Sequence, residues 1–273
     1  MLYAVILVTS CAKENTETYI RDVVNEWYVA VGAKNMLPAL PNLSDTGTVH
    51  FLVLSDSSLV FEFTIKNISN NDRITGVQLR AGDPVTNGSI VLDLTPTSKF
   101  QGTVGANTYG YGAAANLRQT LMDSILNTST QFYIQLTSQQ HPLGYIRGQL
   151  NERVVFAADV NLSGAESVPQ VTTSASGTTW LRLTNTRKLY SRVGVVNNEP
   201  SDVLRTATIQ RAAAGQNGPV VLTLVASVTE FNRSRMIMLS EAANGILIND
   251  SRLYINVTTA LYPGGKIRGQ LRN

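Results

Sequence analysis

Apolar and polar residues alternate over several short stretches of this chain, and the alternation occurs in two copies. In one stretch the apolar residues occupy every second position: Leu59, Phe61, Phe63 and Ile65. The matching stretch lies 130 positions later (189 − 59) and carries Leu189, Ser191, Val193 and Val195. A period of two is typical of a strand that buries one face. The pattern therefore predicts the same strand in each half of the chain.

A repeated sequence motif shows that the chain is a duplication. It stands at 141–150 and again at 262–271, and both copies contain Ile-Arg-Gly-Gln-Leu. The two arginines, Arg147 and Arg268, are 121 residues apart (268 − 147). That spacing is far longer than the repeats of solenoids or propellers, so each copy is a whole domain. We place the first domain at 19–151 and the second at 152–273, preceded by a signal and tether at 1–18.

The remaining pattern predicts the fold class. Helical-looking runs at 116–126 and 235–246 are each followed by one more strand. The offset between the halves falls from 130 to 121, which predicts about nine extra residues (130 − 121) in the Gly- and Tyr-rich stretch 102–112, read as a surface loop. Many short strands and one short helix per half predict an all-β chain of two tandem β-sandwich or partly closed barrel domains.

Composition excludes some classes of protein. The chain has 273 residues, of which 43% are hydrophobic and 15% charged, which is enough material for two cores. The net charge is only +3, and the basic residues are scattered rather than clustered. A surface that binds nucleic acid usually carries a basic stripe, so we expect no nucleic-acid partner.

Cys11 is the only cysteine, which excludes an internal disulfide. It follows an apolar run at 2–8, and a polar stretch at 13–18 comes directly after it. This context resembles the lipobox of bacterial lipoproteins, in which the cysteine is acylated, although no Lys or Arg precedes Cys11. We expect Cys11 to be the lipid anchor of an outer-membrane or cell-surface lipoprotein. The alternative is a buried N-terminal strand with an incidental thiol.

Three motifs of the second half occur in an order that resembles a known family. They are the stretch 156–169, the segment Asn217-Gly218-Pro219, and the repeated motif at 262–271. Together they resemble the CHRD domain, first named from chordin, and the first half resembles a more divergent copy. The resemblance implies a β-sandwich module of extracellular proteins with no established catalytic activity.

The chain departs from this family at the histidines. CHRD domains usually carry a His-x-His pair and a third histidine in the penultimate strand. Those six positions are occupied here by Gln78, Arg80, Thr137, Thr208, Gln210 and Thr258. A zinc or copper site needs three or four converging ligands, so we expect no metal and no cofactor. The two remaining histidines, His50 and His141, are expected to be structural, and no catalytic residue is assigned.

Arg147 and Arg268 are the most suggestive polar residues. One interpretation is a ligand-contacting arginine that is repeated in each domain. The other is a structural arginine that binds turn carbonyls or a carboxylate where the strand of the repeated motif docks. The preferred interpretation is the structural one. The junction 151–153 is too short for a flexible tether, which predicts a nearly fixed arrangement of the domains.

These observations favour a non-enzymatic binding, adhesion or structural module of the cell envelope. The partner would be an envelope protein or glycan, with the membrane reached through the lipid anchor. The alternative is a carbohydrate-binding or accessory subunit of an envelope complex, with exposed aromatic contacts: Trp27, Tyr109, Tyr111 and Trp180. An enzyme with a superoxide-dismutase-like fold is less favoured because its metal ligands are missing.

Overall fold

The structure is a computed structural model that describes residues 21–40, 42–69, 71–104 and 107–271. Cys11 lies outside these residues. Each half of the described chain forms its own antiparallel sheet, as the repeated strand pattern predicts.

The first domain contains nine strands and one helix among its described residues. These are β1 (Val23–Gly32), β2 (Thr46–Leu54), β3 (Leu59–Lys66), β4 (Ile74–Ala81), β5 (Ile90–Asp93), β6 (Lys99–Val104), β7 (Asn107–Ala114), α1 (Gln119–Leu126), β8 (Phe132–Ser138) and β9 (Ile146–Gln149). The strand order is β5-β4-β8-β9-β1-β2-β3-β7-β6. The closing strand β9 therefore lies in the middle of the sheet, between β8 and β1.

The second domain repeats this plan with eight strands and one helix in its described part. These are β10 (Val154–Ser163), β11 (Ser176–Thr184), β12 (Lys188–Val196), β13 (Leu204–Arg211), β14 (Val220–Val225), β15 (Arg235–Met238), α2 (Glu241–Asn249), β16 (Leu253–Thr259) and β17 (Ile267–Gln270). The order is β14-β13-β16-β17-β10-β11-β12-β15, so β17 is also central.

Both sheets curl around an apolar core, which confirms the predicted all-β fold of partly closed domains. In the second domain β12 contacts β14, although the two strands lie near opposite ends of the sheet. In the first domain a 3-10 turn after β5 reaches β7 in the same way. The alternating residues of β3 face inward as predicted, because Leu59, Phe61 and Ile65 are fully buried in the first core. Burying such faces supplies most of the stabilisation of each domain.

The prediction of a surface loop at 102–112 is wrong. Most of this stretch forms the hairpin of β6 and β7, and β7 pairs with β3. The glycines of β7 face inward because there is no room for a side chain there: a Cβ on Gly110 would lie 2.3 Å from Phe63, and one on Gly112 would lie 2.7 Å from Phe61. The large rings of β3 therefore take the space, and the tyrosines of β7 alternate outward.

The helix predicted at 235–246 is also placed too early. Residues Arg235–Met238 form strand β15, which pairs with β12, and α2 begins only at Glu241. The reason is a period of two: Ile237 packs against the core while Met236 and Met238 are half exposed. Ser240 caps the helix by accepting a hydrogen bond from the backbone N–H of Ala243 at 3.2 Å.

The helices of the described chain are short. The helix α1 has eight residues and α2 has nine. Neither is long and apolar enough to cross a membrane, and the same holds for every helix in the part of the chain that the structure describes.

Candidate functional site: the paired arginines, the domain interface and a pocket on the second domain

The closing strands β9 and β17 carry the repeated arginines. In β9, Ile146 lies in the core, and the next residue, Arg147, points to the opposite side of the sheet. Arg147 is nevertheless only 1% exposed and Arg268 only 2%, because loops cover that side in both domains. The closing strand packs tightly on its neighbour, since a Cβ on Gly148 would lie 2.3 Å from the carbonyl oxygen of Ala30.

Arg147 lies between an aromatic ring and a turn. Its guanidinium carbon is 3.5 Å from the centroid of the Tyr133 ring. One nitrogen donates to the carbonyl oxygen of Asp83 at 2.6 Å, and the other donates to Asn87 Oδ1 at 3.3 Å. Burial lowers the pKa of Arg147 to about 10, which leaves the side chain charged at neutral pH.

Arg268 repeats this arrangement with longer bonds. Its guanidinium carbon is 3.5 Å from the centroid of the Tyr254 ring. It donates to Asn217 Oδ1 at 3.4 Å and to the carbonyl oxygen of Ala213 at 3.4 Å. The structure therefore brings each arginine to the Asn-Gly turn of its own domain, where it contacts protein groups of that turn.

The tyrosines of these clusters were not singled out in the sequence. The hydroxyl of Tyr133 accepts a hydrogen bond from the backbone N–H of Gly88 at 3.2 Å, and that of Tyr254 accepts one from Gly218 at 3.0 Å. Each tyrosine thus supports an arginine with its ring and a turn with its hydroxyl. The available signal was the repeat itself, because the two tyrosines are 121 residues apart (254 − 133), like the two arginines.

The asparagines connect the turn to a third motif. Asn87 Nδ2 donates to the carbonyl oxygen of Leu37 at 2.8 Å, and Asn217 Nδ2 donates to that of Val168 at 2.8 Å. Both acceptors directly precede a proline. The three sequence motifs of the second half, which are far apart in the chain, therefore meet at one place on the outer side of the sheet, and the equivalent segments of the first half do the same.

The surroundings of the two turns differ. In the first domain the turn contacts the second domain: Pro84 and Val85 are buried, and Ser234 donates a hydrogen bond to Asp83. The equivalent residues of the second domain, which lie 130 positions later, are exposed from Ala213 to Asn217. One copy of the motif thus belongs to the domain interface, whereas the other faces solvent.

Arg182 of β11 is the central polar residue of this interface. It is fully buried and pairs with Asp159 of β10 at 2.6 Å. Its other terminal nitrogen crosses to the first domain and donates to the carbonyl oxygen of Met36 at 2.6 Å. Asp159 crosses as well, by accepting from the backbone N–H of Ala39 at 2.7 Å. Burial lowers the pKa of Arg182, while the carboxylate of Asp159 opposes that effect.

Further contacts fix the junction between the domains. Trp27 Nε1 donates to Asn151 Oδ1 at 2.9 Å, and Lys188 forms an ion pair with Glu152. Burial, together with the negative charges of Glu152 and Asp83, raises the pKa of Tyr190 to about 12. The junction is therefore held by side chains of both sheets.

The positions at which the family usually has histidines hold a hydrogen-bonded polar set. Arg80 donates to Gln78 Oε1 at 2.9 Å in the first domain, and Gln210 donates to the hydroxyl of Thr208 at 3.1 Å in the second. Within the described residues, no group of three His, Cys, Asp or Glu side chains is placed to hold a metal ion. The ring of His50 stacks on Tyr28 with the centroids 4.2 Å apart.

The four aromatic residues considered as sugar contacts lie in different environments. Tyr111 is 49% exposed, but Tyr109 and Trp27 are partly buried. Trp27 packs edge-on against Phe51 of the core, which removes it from the outer surface. Trp180 lies on the outer side of β11, at the edge of a pocket.

That pocket has a volume of about 220 Å³ and lies entirely on the second domain. It is lined by Ser176, Gly177, Thr178, Trp180, Arg192, Gly194, Val196 and Asn232. The guanidinium of Arg192 is 5.5 Å from the centroid of the Trp180 ring. Sequence reasoning missed Arg192 and Asn232: the pairing of β11 with β12 brings Arg192 beside Trp180, and the backbone N–H of Asn232 donates to the carbonyl oxygen of Val193 on β12 at 2.8 Å.

Comparison with known proteins supports the family resemblance. The model of the CHRD domain family matches this chain twice, at residues 29–150 and 158–271. Neither the curated proteins nor the solved structures contain a match to the chain. The two matched segments together cover most of both sheets.

Proposed function

The chain belongs to the CHRD domain family, as a tandem pair of its domains, and we propose that it is a non-enzymatic binding module of the cell envelope. At the coarse level, the tandem CHRD domains support a binding module. The envelope location and an adhesive or scaffolding role are the further steps of this proposal.

The observation that carries the proposal is the buried contact between the domains. Arg182 is fully buried and reaches a backbone carbonyl of the first domain, while Asp159 binds a backbone N–H of the same segment. Charged hydrogen bonds of this kind require a defined geometry. A two-lobed body with fixed outer faces is suited to holding a partner in one orientation, as a scaffold or adhesin does.

The chemistry of the described histidines supports a non-enzymatic role. The ring of His50 is 3.2 Å from Glu26 and 3.4 Å from Glu62 on the surface of the first domain. His141 lies in the turn before β9 and stacks on Tyr145. Neither ring is hydrogen-bonded to a serine or threonine hydroxyl within the described residues. General-base activation of a serine or threonine nucleophile works through that contact.

Attachment through Cys11 completes the proposal. The apolar run before the cysteine and the polar stretch after it support acylation at this position. A lipid anchor would place both domains outside the hydrocarbon of the membrane, where their outer faces could meet an envelope protein or glycan.

Binding to a fractionated envelope tests this function. Purified protein that lacks the first eighteen residues, and so cannot be acylated, is labelled and titrated onto envelope and cytosolic fractions of its own cells. The proposal expects saturable binding to the envelope fraction that excess unlabelled protein displaces. Heat-unfolded protein is the control for adhesion of exposed apolar surface. Binding that never saturates, or that is equal on the cytosolic fraction, contradicts the proposal.

Carbohydrate binding is the second candidate function, and the pocket beside Trp180 favours it. Aromatic rings and hydroxyl or amide side chains together recognise the two kinds of surface that a sugar presents. The exposed Tyr111 lies on the other domain and contributes no wall to this pocket.

A further inference from the structure

We propose that the pocket of the second domain, formed by Trp180, Arg192, Gly194 and Asn232, binds a sugar acid, that is, a single pyranose unit carrying a carboxylate. This inference rests on the proposed binding function and gives that function a site and a ligand class.

The first step concerns charge. Arg192 is the only charged residue among the eight that line the pocket. It also has no ion pair among the residues that the structure describes. By contrast, Arg182, which lies on the same face of β11 as Trp180, is paired with Asp159. An arginine fork matches the two oxygens of a carboxylate, and it gains most when no protein carboxylate competes. The pocket is thus suited to an anionic group.

The second step concerns the rest of the ligand. Ser176, Thr178 and Asn232 offer hydroxyl and amide groups, which both donate and accept hydrogen bonds. Trp180 and Val196 supply apolar surface. A pyranose ring presents hydroxyls at its edge and C–H groups on its face, so both kinds of wall have a counterpart. A simple carboxylate such as acetate would leave most of this lining unused.

The third step concerns size. The volume of about 220 Å³ is below the range of typical pockets for drug-sized ligands, about 300–1,000 Å³. A single sugar unit therefore fits the space better than an oligosaccharide. Longer glycans would extend from the open side with one unit inside.

The fourth step is the comparison with the equivalent positions of the first domain, which carry side chains of a different kind. At the equivalent positions, 130 residues earlier, Trp180 is replaced by His50, Arg192 by Glu62 and Gly194 by Thr64. The exchange of arginine for glutamate reverses the charge. Gly194 matters for space, because a Cβ there would lie 3.2 Å from Asn232 Oδ1 and would begin to fill the pocket.

Titration with D-glucuronate tests the proposal, with D-glucose and acetate as the neutral and ring-free probes. The protein carries Trp27→Phe so that Trp180 alone reports binding by fluorescence, and calorimetry on the unmodified chain provides a second reading. We expect saturable binding of glucuronate with a Kd on the order of millimolar. Glucose and acetate should each bind at least about tenfold more weakly, because each lacks one half of the contacts.

Two variants locate the site. Gly194→Thr introduces the residue that the first domain carries and should abolish binding by filling the pocket. Arg192→Gln keeps a polar side chain without the charge and should weaken glucuronate binding about tenfold or more while leaving glucose unchanged. Arg205→Gln, an exposed arginine on β13, is the matched control and should bind as the parent does. The urea midpoint of each variant verifies that the domain is folded.

The outcomes separate this proposal from the broader one. Glucuronate binding that is absent, or that survives in folded Gly194→Thr, overturns the sugar-acid site. If envelope binding remains saturable in that case, the binding function stands and only the site is wrong. Equal affinity for glucose and glucuronate also overturns the proposal, because the charge of Arg192 then plays no part.

Discussion

Replacing Arg182 by leucine is the sharpest test of how the two domains are joined. Leucine is the residue at the equivalent position of the first domain, Leu52, so the strand accepts it. The change removes the ion pair with Asp159 at 2.6 Å and the hydrogen bond to the carbonyl of Met36 at 2.6 Å. It leaves the carboxylate of Asp159 beside an apolar side chain in the interface.

The cost in stability comes from the carboxylate of Asp159, which the substitution leaves without its ion-pair partner. Removing one partner of a buried ion pair typically costs about 3–5 kcal/mol, because the other charge stays buried and unpaired. Asp159 keeps the N–H of Ala39 as a donor and is 19% exposed. We therefore expect about 3 kcal/mol, the lower end of that range. Asp159 regains water when the domains separate, so the substitution lowers the free energy that holds the two domains together.

The two tryptophans make this measurable, because each domain contains one. Trp180→Phe leaves Trp27 as the probe of the first domain, and Trp27→Phe leaves Trp180 as the probe of the second. With a urea m-value of about 2 kcal/mol per molar, Arg182→Leu should lower the midpoint reported by Trp27 by about 1.5 M. The midpoint reported by Trp180 should move much less.

A second substitution distinguishes charge from lost packing. Asp159→Asn keeps an oxygen acceptor for Ala39 but removes the charge, so the double variant with Arg182→Leu should recover about 1–2 kcal/mol of the loss. Arg205→Leu, at an exposed position of β13, controls for the loss of an arginine and should change stability by less than about 0.5 kcal/mol. An unchanged Trp27 midpoint in Arg182→Leu would refute the reasoning.

Four further predictions concern single residues and conditions. Lysine in place of Arg147 should lower the free energy of unfolding by about 2 kcal/mol, more than lysine in place of Arg268, because the bonds of Arg147 are shorter; equal losses in urea melts would contradict this. The Arg252 guanidinium holds the pKa of Asp250 at about 2, below its unfolded value of 3.8, so stability is present above that value and is lost as the pH falls toward 2. Asp250→Asn should flatten this dependence in melts between about pH 4 and pH 2, and an equally steep loss would count against it. Cys11→Ala should lose incorporation of an alkyne fatty acid; full labelling of the variant would show that another residue is acylated. EDTA should leave Tm unchanged in protein purified without a His tag, whereas a fall of several degrees would reveal a bound metal.

The sequence was informative where one physical cause dominates. The strands β3 and β12 follow from alternation alone, because one of their faces is buried by the core. The family was evident because its motifs are continuous in the chain. Those motifs converge on the Asn-Gly turns through Arg147 and Arg268, and the repeat identifies both.

The sequence was less informative where the structure depends on pairing between segments that are far apart in the chain. The hairpin of β6 and β7 was missed because its glycines look like loop residues until the rings of Phe61 and Phe63 are placed opposite them. Arg182 was missed because its partners are a residue of the neighbouring strand and a carbonyl of another domain. The replacement of Leu52 in one copy by Arg182 in the other was the available hint.

The exposed turn of the second domain has a practical consequence for protein engineering. Gly215 has a φ of +76° and no heavy atom within 4 Å of a Cβ placed on it, and its neighbours are in solvent, whereas Val85 at the equivalent position is buried. Added residues are tolerated best at such exposed turns, since lengthening a flexible loop costs little. An epitope or a fluorescent peptide inserted after Gly215 should therefore leave both domains folded, and the same insertion after Val85 should separate them. The duplication thus provides, within one polypeptide, a position that tolerates an insertion and an equivalent position that does not.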